Sequence, residues 1–265
     1  MNPNTNLLLN WLKILKLKSD KFFLMDLDKK SKIKGYIYDG IVIFVGVFLS
    51  FFVEDLRIQN LNDHRKNQYL KDLRLTLDDD VDQINQLKEV LNKSVSYINQ
   101  IQDDIDQNHS LMNDTITISK LIDIEVGISF FSKDGIYNQL IATDAFELIK
   151  STELKNILLE MYNHLKERNI ATSNEIDQFN IGFRRTILEN FRVRFNYDLL
   201  DGEFYGNRSL KVFEFNKSYY ESNDFYGILS QAKLYSNMYQ RQLKDLYDIY
   251  IEAIQLVNKE LKISS

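Results

Sequence analysis

An all-α fold is the class this sequence predicts, and a few observations carry the prediction. The chain has one proline, Pro3, and nine glycines in 265 residues, so few helix breakers interrupt it. Apolar residues recur every seven positions from Leu70 onward, the period of a helix buried along one seam. A long apolar stretch, residues 35–53, precedes that pattern with one charge, Asp39. Together these predict one transmembrane helix continuing into a long coiled-coil-like helix, then an antiparallel helical bundle with a small aromatic-rich loop or strand insertion. The expected divisions are a basic amphipathic cytoplasmic tail (1–34), a transmembrane helix (35–56) and a helical domain (57–265), with the insertion at about 192–222.

The tail carries eight lysines against Asp20, Asp26 and Asp28 over residues 1–35. Residues 7–18 hold Trp11 among Leu, Ile and Lys and are too short to cross a bilayer. They read as an amphipathic helix on an anionic lipid surface, with packing against protein as the alternative. No small-residue cleavage site follows the apolar stretch, so a removable signal peptide is not expected.

The uncharged run, residues 40–53, has 14 residues; taken alone it suits a buried core helix as well as a span. Adding residues 35–39 gives 19, about 28 Å at 1.5 Å per residue, which approaches a bilayer core of roughly 30 Å. Tyr36 and Tyr38 are the aromatics expected at headgroup level. Apolar residues on every face favour lipid over a soluble surface helix. Lys29, Lys30, Lys32 and Lys34 precede the run, whereas only Arg57 is basic in the ten residues after it. The N-terminus is therefore expected in the cytoplasm and the remainder outside.

Leu70, Leu77, Ile84, Leu91, Ile98 and Ile105 form the heptad seam. Leu73, Leu87 and Ile101 occupy the second row, which Asp80 and Ser94 interrupt. The covering partner is either the same helix of another subunit or a later helix of this chain. Residues 108–115 are polar and predict a turn, and 116–131 fit either a helix or a short strand pair. Helical pattern returns at 137–150, then at Leu154, Leu158, Met161 and Leu165. Thr172 with Glu175 reads as a capping box opening a helix that carries Ile176, Phe179, Phe183, Ile187 and Phe191. Ser218 with Glu221 reads as a second such box, or else merely lies near a start. The final helix is expected from about Asp224 to Leu261.

Between these last helices, Phe195, Tyr197, Phe204, Tyr205, Tyr219 and Tyr220 make a candidate partner surface, because tyrosine-rich surfaces give large contacts at low entropic cost. The alternative is a cap on the open end of the helices. Residues 209–217 alternate as a short strand does.

Composition excludes several functions. The net charge is −5, and with +5 in the first 35 residues the remainder carries −10, against nucleic-acid binding. With no cysteine there is no disulfide, thiolate metal site or thiol nucleophile. His64, His109 and His164 are scattered, and no zinc-protease, nucleophile-elbow or phosphate-loop motif occurs. Asp78, Asp79, Asp80 and Asp82 read as a solvated face, as do Asp103, Asp104 and Asp106. No enzyme activity and no cofactor are expected. Asp39 is the one sharp chemical candidate, since an ionisable group within a span is costly and often functional.

The layout resembles an uncharacterised family of bacterial single-pass membrane proteins, a domain of unknown function. The resemblance rests on the short basic tail, Asp39 opening the span, the run 41–53, and the charged juxtamembrane helix 54–69. It extends to Tyr137, Leu140, residues 146–150, Leu154, Leu158 and Tyr162. The resemblance implies a membrane-anchored helical protein and supplies no activity. The expectation from the sequence as a whole is a non-enzymatic single-pass inner-membrane protein acting as scaffold or sensor, through homo-oligomerisation or contacts with other membrane proteins. The competing expectation is an accessory subunit of a proton-driven membrane complex, using Asp39.

Overall fold

A computed structural model describes residues 29–198 and 207–263. Helices predominate: α1 (Lys29–Asp106), α2 (Asp114–Ile122), α3 (Gly135–Ala142), α4 (Thr152–Leu159), a π-helical turn (Glu160–Leu165), α5 (Lys166–Asn190), α6 (Lys217–Tyr220) and α7 (Asn223–Ile263). The one sheet among the described residues is a hairpin of β1 (Arg192–Asp198) and β2 (Asn207–Glu214), paired antiparallel with a register shift between Arg194 and Phe195. The chain divides into two units, Met1–Leu61 and Asn62–Ser265.

In the first unit the described residues are helical. Local bonds follow helical spacing: Ser50 Oγ donates to the Gly46 carbonyl (2.9 Å), and Arg57 grips both Glu54 oxygens (2.6 and 2.9 Å). Among the described residues, no helix is long and apolar enough to cross a membrane. The uncharged run lies between Asp39 and Glu54, and its 14 residues rise only about 21 Å.

In the second unit three helices share one burial rhythm. Along α1, Lys66, Leu70, Leu73, Leu77, Asp80, Ile84, Leu87, Leu91, Ser94, Ile98 and Ile101 are buried, at alternating spacings of four and three. Along α7 the same alternation runs from Phe225 and Leu229 through Ala232, Ser236, Tyr239, Leu243, Leu246, Tyr250, Ala253 and Val257 to Glu260. Along α5 it runs through Asn169, Ser173, Ile176, Asn180, Phe183 and Ile187. That rhythm keeps one face of each helix turned to its neighbours. Lys66 meets Glu260, Lys88 lies over Tyr247, Gln102 reaches Ser230 and Tyr226 reaches Asp106, so α1 and α7 run in opposite directions. Asn169 pairs with Tyr239 and Gln242, and Glu175 with Tyr235, so α5 is also antiparallel to α7.

Several of the polar seam positions have a common cause. After α2 the chain runs without regular structure to α3, and Ile124, Val126 and Phe130 of this strap are buried. Buried backbone groups need partners, and helix side chains supply them. Glu125 N–H donates to Ser94 Oγ (2.9 Å), Phe130 N–H to the Tyr239 hydroxyl (2.8 Å) and Lys133 N–H to Asp80 (3.1 Å). Asn169 Nδ2 donates to the Phe130 carbonyl (2.9 Å), and Asn180 Nδ2 to that of Gly127 (3.3 Å). Asp80 and Ser94 therefore interrupt the leucine row because they bind the strap.

Several expectations need correction. Residues 116–131 are neither one helix nor a strand pair, but the end of α2 followed by the strap. Thr172 does not open a helix: α5 begins six residues earlier, and Thr172 Oγ1 bonds the Arg168 carbonyl (3.0 Å). Near the second box the caps are Asn216, which accepts from Tyr219 N–H (3.1 Å), and Ser222, which accepts from Phe225 N–H (3.2 Å). The helix expected over 137–150 ends at Ala142, where Asp144 takes a positive φ of 55°.

Candidate functional site

The residues read as membrane-contacting fall in the first unit. Trp11 lies outside the described residues. Lys29, Lys30, Lys32, Lys34 and Tyr36 lie in α1. Tyr38 and Asp39 are exposed on the same helix. Beyond them Ile41, Val42, Ile43, Phe44, Val47, Phe48, Phe51, Phe52 and Val53 are all between 41% and 71% exposed. These nine side chains occupy every face of their helical turns, so no rotation of the helix hides them together. Phe44 and Phe48 stack one turn apart at 6.5 Å, and Ile43, Gly46, Val47, Ser50, Phe51 and Glu54 line a shallow groove.

The heptad seam lies elsewhere and is closed. Leu70, Leu77, Ile84, Leu91 and Ile98 are fully buried within the single chain, and Ile105 is half-buried against the same core. Later helices of this chain cover the seam, which settles the alternative left open by the sequence.

The aromatic candidates divide. Phe195 and Tyr197 are exposed on β1, while Phe204 and Tyr205 lie outside the described residues. Tyr219 is half-buried and packs on Phe191 (5.7 Å between ring centres) and Phe225 (5.4 Å). Tyr220 is fully buried and is no part of a surface. Its hydroxyl donates to Asp104 Oδ2 (2.7 Å), and its ring meets Phe215 and Phe225.

Three of the buried polar clusters among the described residues hold carboxylates with shifted pKa values, and none was legible as a motif. In the first, Asp80 on α1 accepts from Lys133 N–H and from the Tyr250 hydroxyl. Burial disfavours its charge and pushes its carboxyl up to about 6 despite those bonds and the nearby Lys133. Burial and the Asp80 charge also push up the hydroxyls of Tyr250 and of Tyr162, which sits on the π-helical turn. In the second, fully buried Glu260 accepts from Lys66 Nζ (3.3 Å), Lys150 N–H (2.9 Å) and Ser151 N–H (3.0 Å). Burial opposes its charge, but these donors outweigh burial and hold its carboxyl below the usual range.

The third cluster joins Asp104, His109, Asp114 and Tyr220. Asp104 is buried, yet donors from His109, Tyr220, Leu111 and Met112 hold its carboxyl below the usual range. Asp80 and Asp104 thus correct the reading of both aspartate runs as solvated faces. For Asp80 the available signal was its position in the second heptad row. For His109 it was the even spacing of Asp104, His109 and Asp114. Among the described residues, no group of three or more histidine, aspartate or glutamate side chains could hold a metal ion.

The buried clusters tie helices together, whereas among the described residues the large apolar side chains of segment 41–53 are exposed. Comparison of the chain with protein-family models, curated proteins and solved structures finds no match.

Proposed function

We propose that this chain is a single-pass protein of the bacterial inner membrane whose helical domain acts as a non-enzymatic scaffold or sensor. The family its layout resembles implies the membrane anchor and the helical character alone. The observation that carries the reading is the exposed apolar segment 41–53. Each large apolar side chain gains about 1.5–3 kcal/mol on leaving water, and nine exposed together on all faces require a nonpolar surrounding. Lipid meets that need without a shaped partner. With residues 35–39 included, the helix rises about 28 Å, and Asp39 sits at the headgroup boundary rather than at mid-depth. The lysines at 29, 30, 32 and 34 support a cytoplasmic N-terminus and an extracytoplasmic helical domain, arranged as an antiparallel bundle. Self-association in this reading uses surfaces other than the heptad seam, which the chain covers itself.

Fractionation tests the reading. The full chain should stay with membranes through alkaline carbonate washing and leave them in detergent. Mass measurement of the detergent-purified protein then gives the number of copies. Asp39→Asn should leave membrane retention and assembly unchanged. Recovery of the full chain in the soluble fraction would refute the reading.

A further inference from the structure

The turn after α1 passes through Asn108 and His109, at φ 55° and 59°. This left-handed backbone is uncommon outside glycine, and asparagine and histidine are among the side chains that tolerate it best. Here the His109 ring is in turn held between two carboxylates. Its Nδ1 lies 2.6 Å from Asp104 Oδ2 and its Nε2 lies 2.8 Å from Asp114 Oδ1. Asp104 also accepts from the Tyr220 hydroxyl (2.7 Å), Leu111 N–H (2.7 Å) and Met112 N–H (2.9 Å). Four donors fill the acceptor positions of an ionised carboxylate, so Asp104 is charged and Nδ1 carries a proton. Nε2 then faces a second carboxylate. That contact is attractive only if Nε2 is protonated too; in the neutral ring a lone pair would point at Asp114.

We propose that His109 is a proton-operated latch. In its doubly protonated form it ties the end of α1 to the first turn of α2, and on losing a proton it releases Asp114 and lets the turn 107–113 open. The titratable groups facing the ring are Asp104 from α1, Asp114 from α2 and Tyr220 from α6. Phe215 offers only its ring face, stacked at 4.8 Å, and Tyr220 meets the imidazole edge-on at 4.9 Å. The Tyr220 hydroxyl stays protonated, because burial and Asp104 push its pKa up. The imidazole is 7% exposed; burial disfavours its charge, but the two carboxylates outweigh burial and raise its pKa above the usual 6.5. A raised folded-state value means that the latch is closed below the ordinary histidine range. It is lost as pH rises through the raised value. The inference stands independently of the membrane reading, since all of these groups lie in the second unit.

The test is an imidazole NMR titration of the full-length protein in detergent micelles, with amide exchange of residues 107–116 followed over the same pH range. His64→Gln and His164→Gln assign the signals. His109 should titrate above 6.5, with both ring nitrogens protonated below its midpoint. Exchange at 107–113, corrected for its intrinsic pH dependence, should rise several-fold as pH passes that midpoint. Asp114 is half exposed, so Asp114→Asn should fold, lower the His109 midpoint by about one unit and abolish the exchange step. A midpoint at or below 6.5, an unchanged midpoint in Asp114→Asn, or exchange without a step in the wild-type protein would each overturn the latch.

Discussion

Replacing Asp80 by asparagine should stabilise this protein at neutral pH, although it replaces one of the two oxygens near the Lys133 N–H of the strap and leaves the other as acceptor. Burial raises the Asp80 carboxyl from 3.8 to about 6. The folded state therefore binds more protons than the unfolded chain between those values, and stability falls as pH rises through that window. A difference of about two units, at 1.36 kcal/mol each, comes to about 3 kcal/mol lost by pH 7. Asparagine resembles the protonated carboxyl in charge and shape, so the variant should not lose it. Guanidinium unfolding of full-length wild type and Asp80→Asn in micelles, followed by circular dichroism between about pH 4 and 8, measures the difference directly. Asp104, Asp134 and Glu260 have carboxyls held below the usual range and lose stability in acid, but they are common to both proteins and cancel. The variant should gain about 3 kcal/mol relative to wild type above pH 6 and converge with it near pH 4. A difference that does not change with pH, or a variant less stable than wild type at pH 7, would refute the reasoning.

Other perturbations probe the strap and the buried ion pair. A Cβ on Gly127 would stand 2.9 Å from Asp177 Oδ1 and 3.2 Å from the Ile176 carbonyl; Gly127→Ala should cost about 1–3 kcal/mol of unfolding free energy. Tyr239→Phe removes the acceptor of Phe130 N–H, which should cost about 1–3 kcal/mol and speed exchange of the Phe130 amide. Glu260→Ala takes the buried counter-charge from Lys66 and the acceptors from Lys150 and Ser151, a loss of about 3–5 kcal/mol in chemical unfolding. Because the Glu260 carboxyl is held low, its contribution is present above the ordinary carboxylate range and lost as pH falls. The deficit of Glu260→Ala should therefore shrink in acid.

How much of this was legible depends on what fills each seam. Leucine and isoleucine at Leu70, Leu77, Ile84, Leu91 and Ile98 announce the α1 seam, and all five are buried. In α7 the same rhythm includes Ala232 and Ser236 in the N-terminal half, so its C-terminal half reads as apolar more plainly. In α5, Asn169, Ser173 and Asn180 hold seam positions, and a hydroxyl three residues before a glutamate imitates a helix start. Asn169 and Asn180, like Ser94 and Tyr239, serve the strap, from which they are 31 to 109 residues distant in sequence. Local periodicity carries no record of such partners. The same limit hid the surroundings of Tyr220: its hydroxyl bonds Asp104, 116 positions away, so an aromatic cluster that reads as a surface is partly core. The second strand was legible by alternation over 209–217, and β2 ends at Glu214.

The membrane reading rests on what surrounds residues 41–53, and the absence of cysteine from the sequence makes that directly measurable. Single cysteines placed in turn at 38 to 58, spin-labelled in reconstituted vesicles, report collisions with oxygen and with a water-soluble nickel complex. Lipid surroundings predict high oxygen and low nickel accessibility at every position from 41 to 53, with nickel access returning at Glu54 and Asp55. Nickel accessibility that rises and falls every 3.6 residues, or stays high throughout, would contradict immersion in a bilayer.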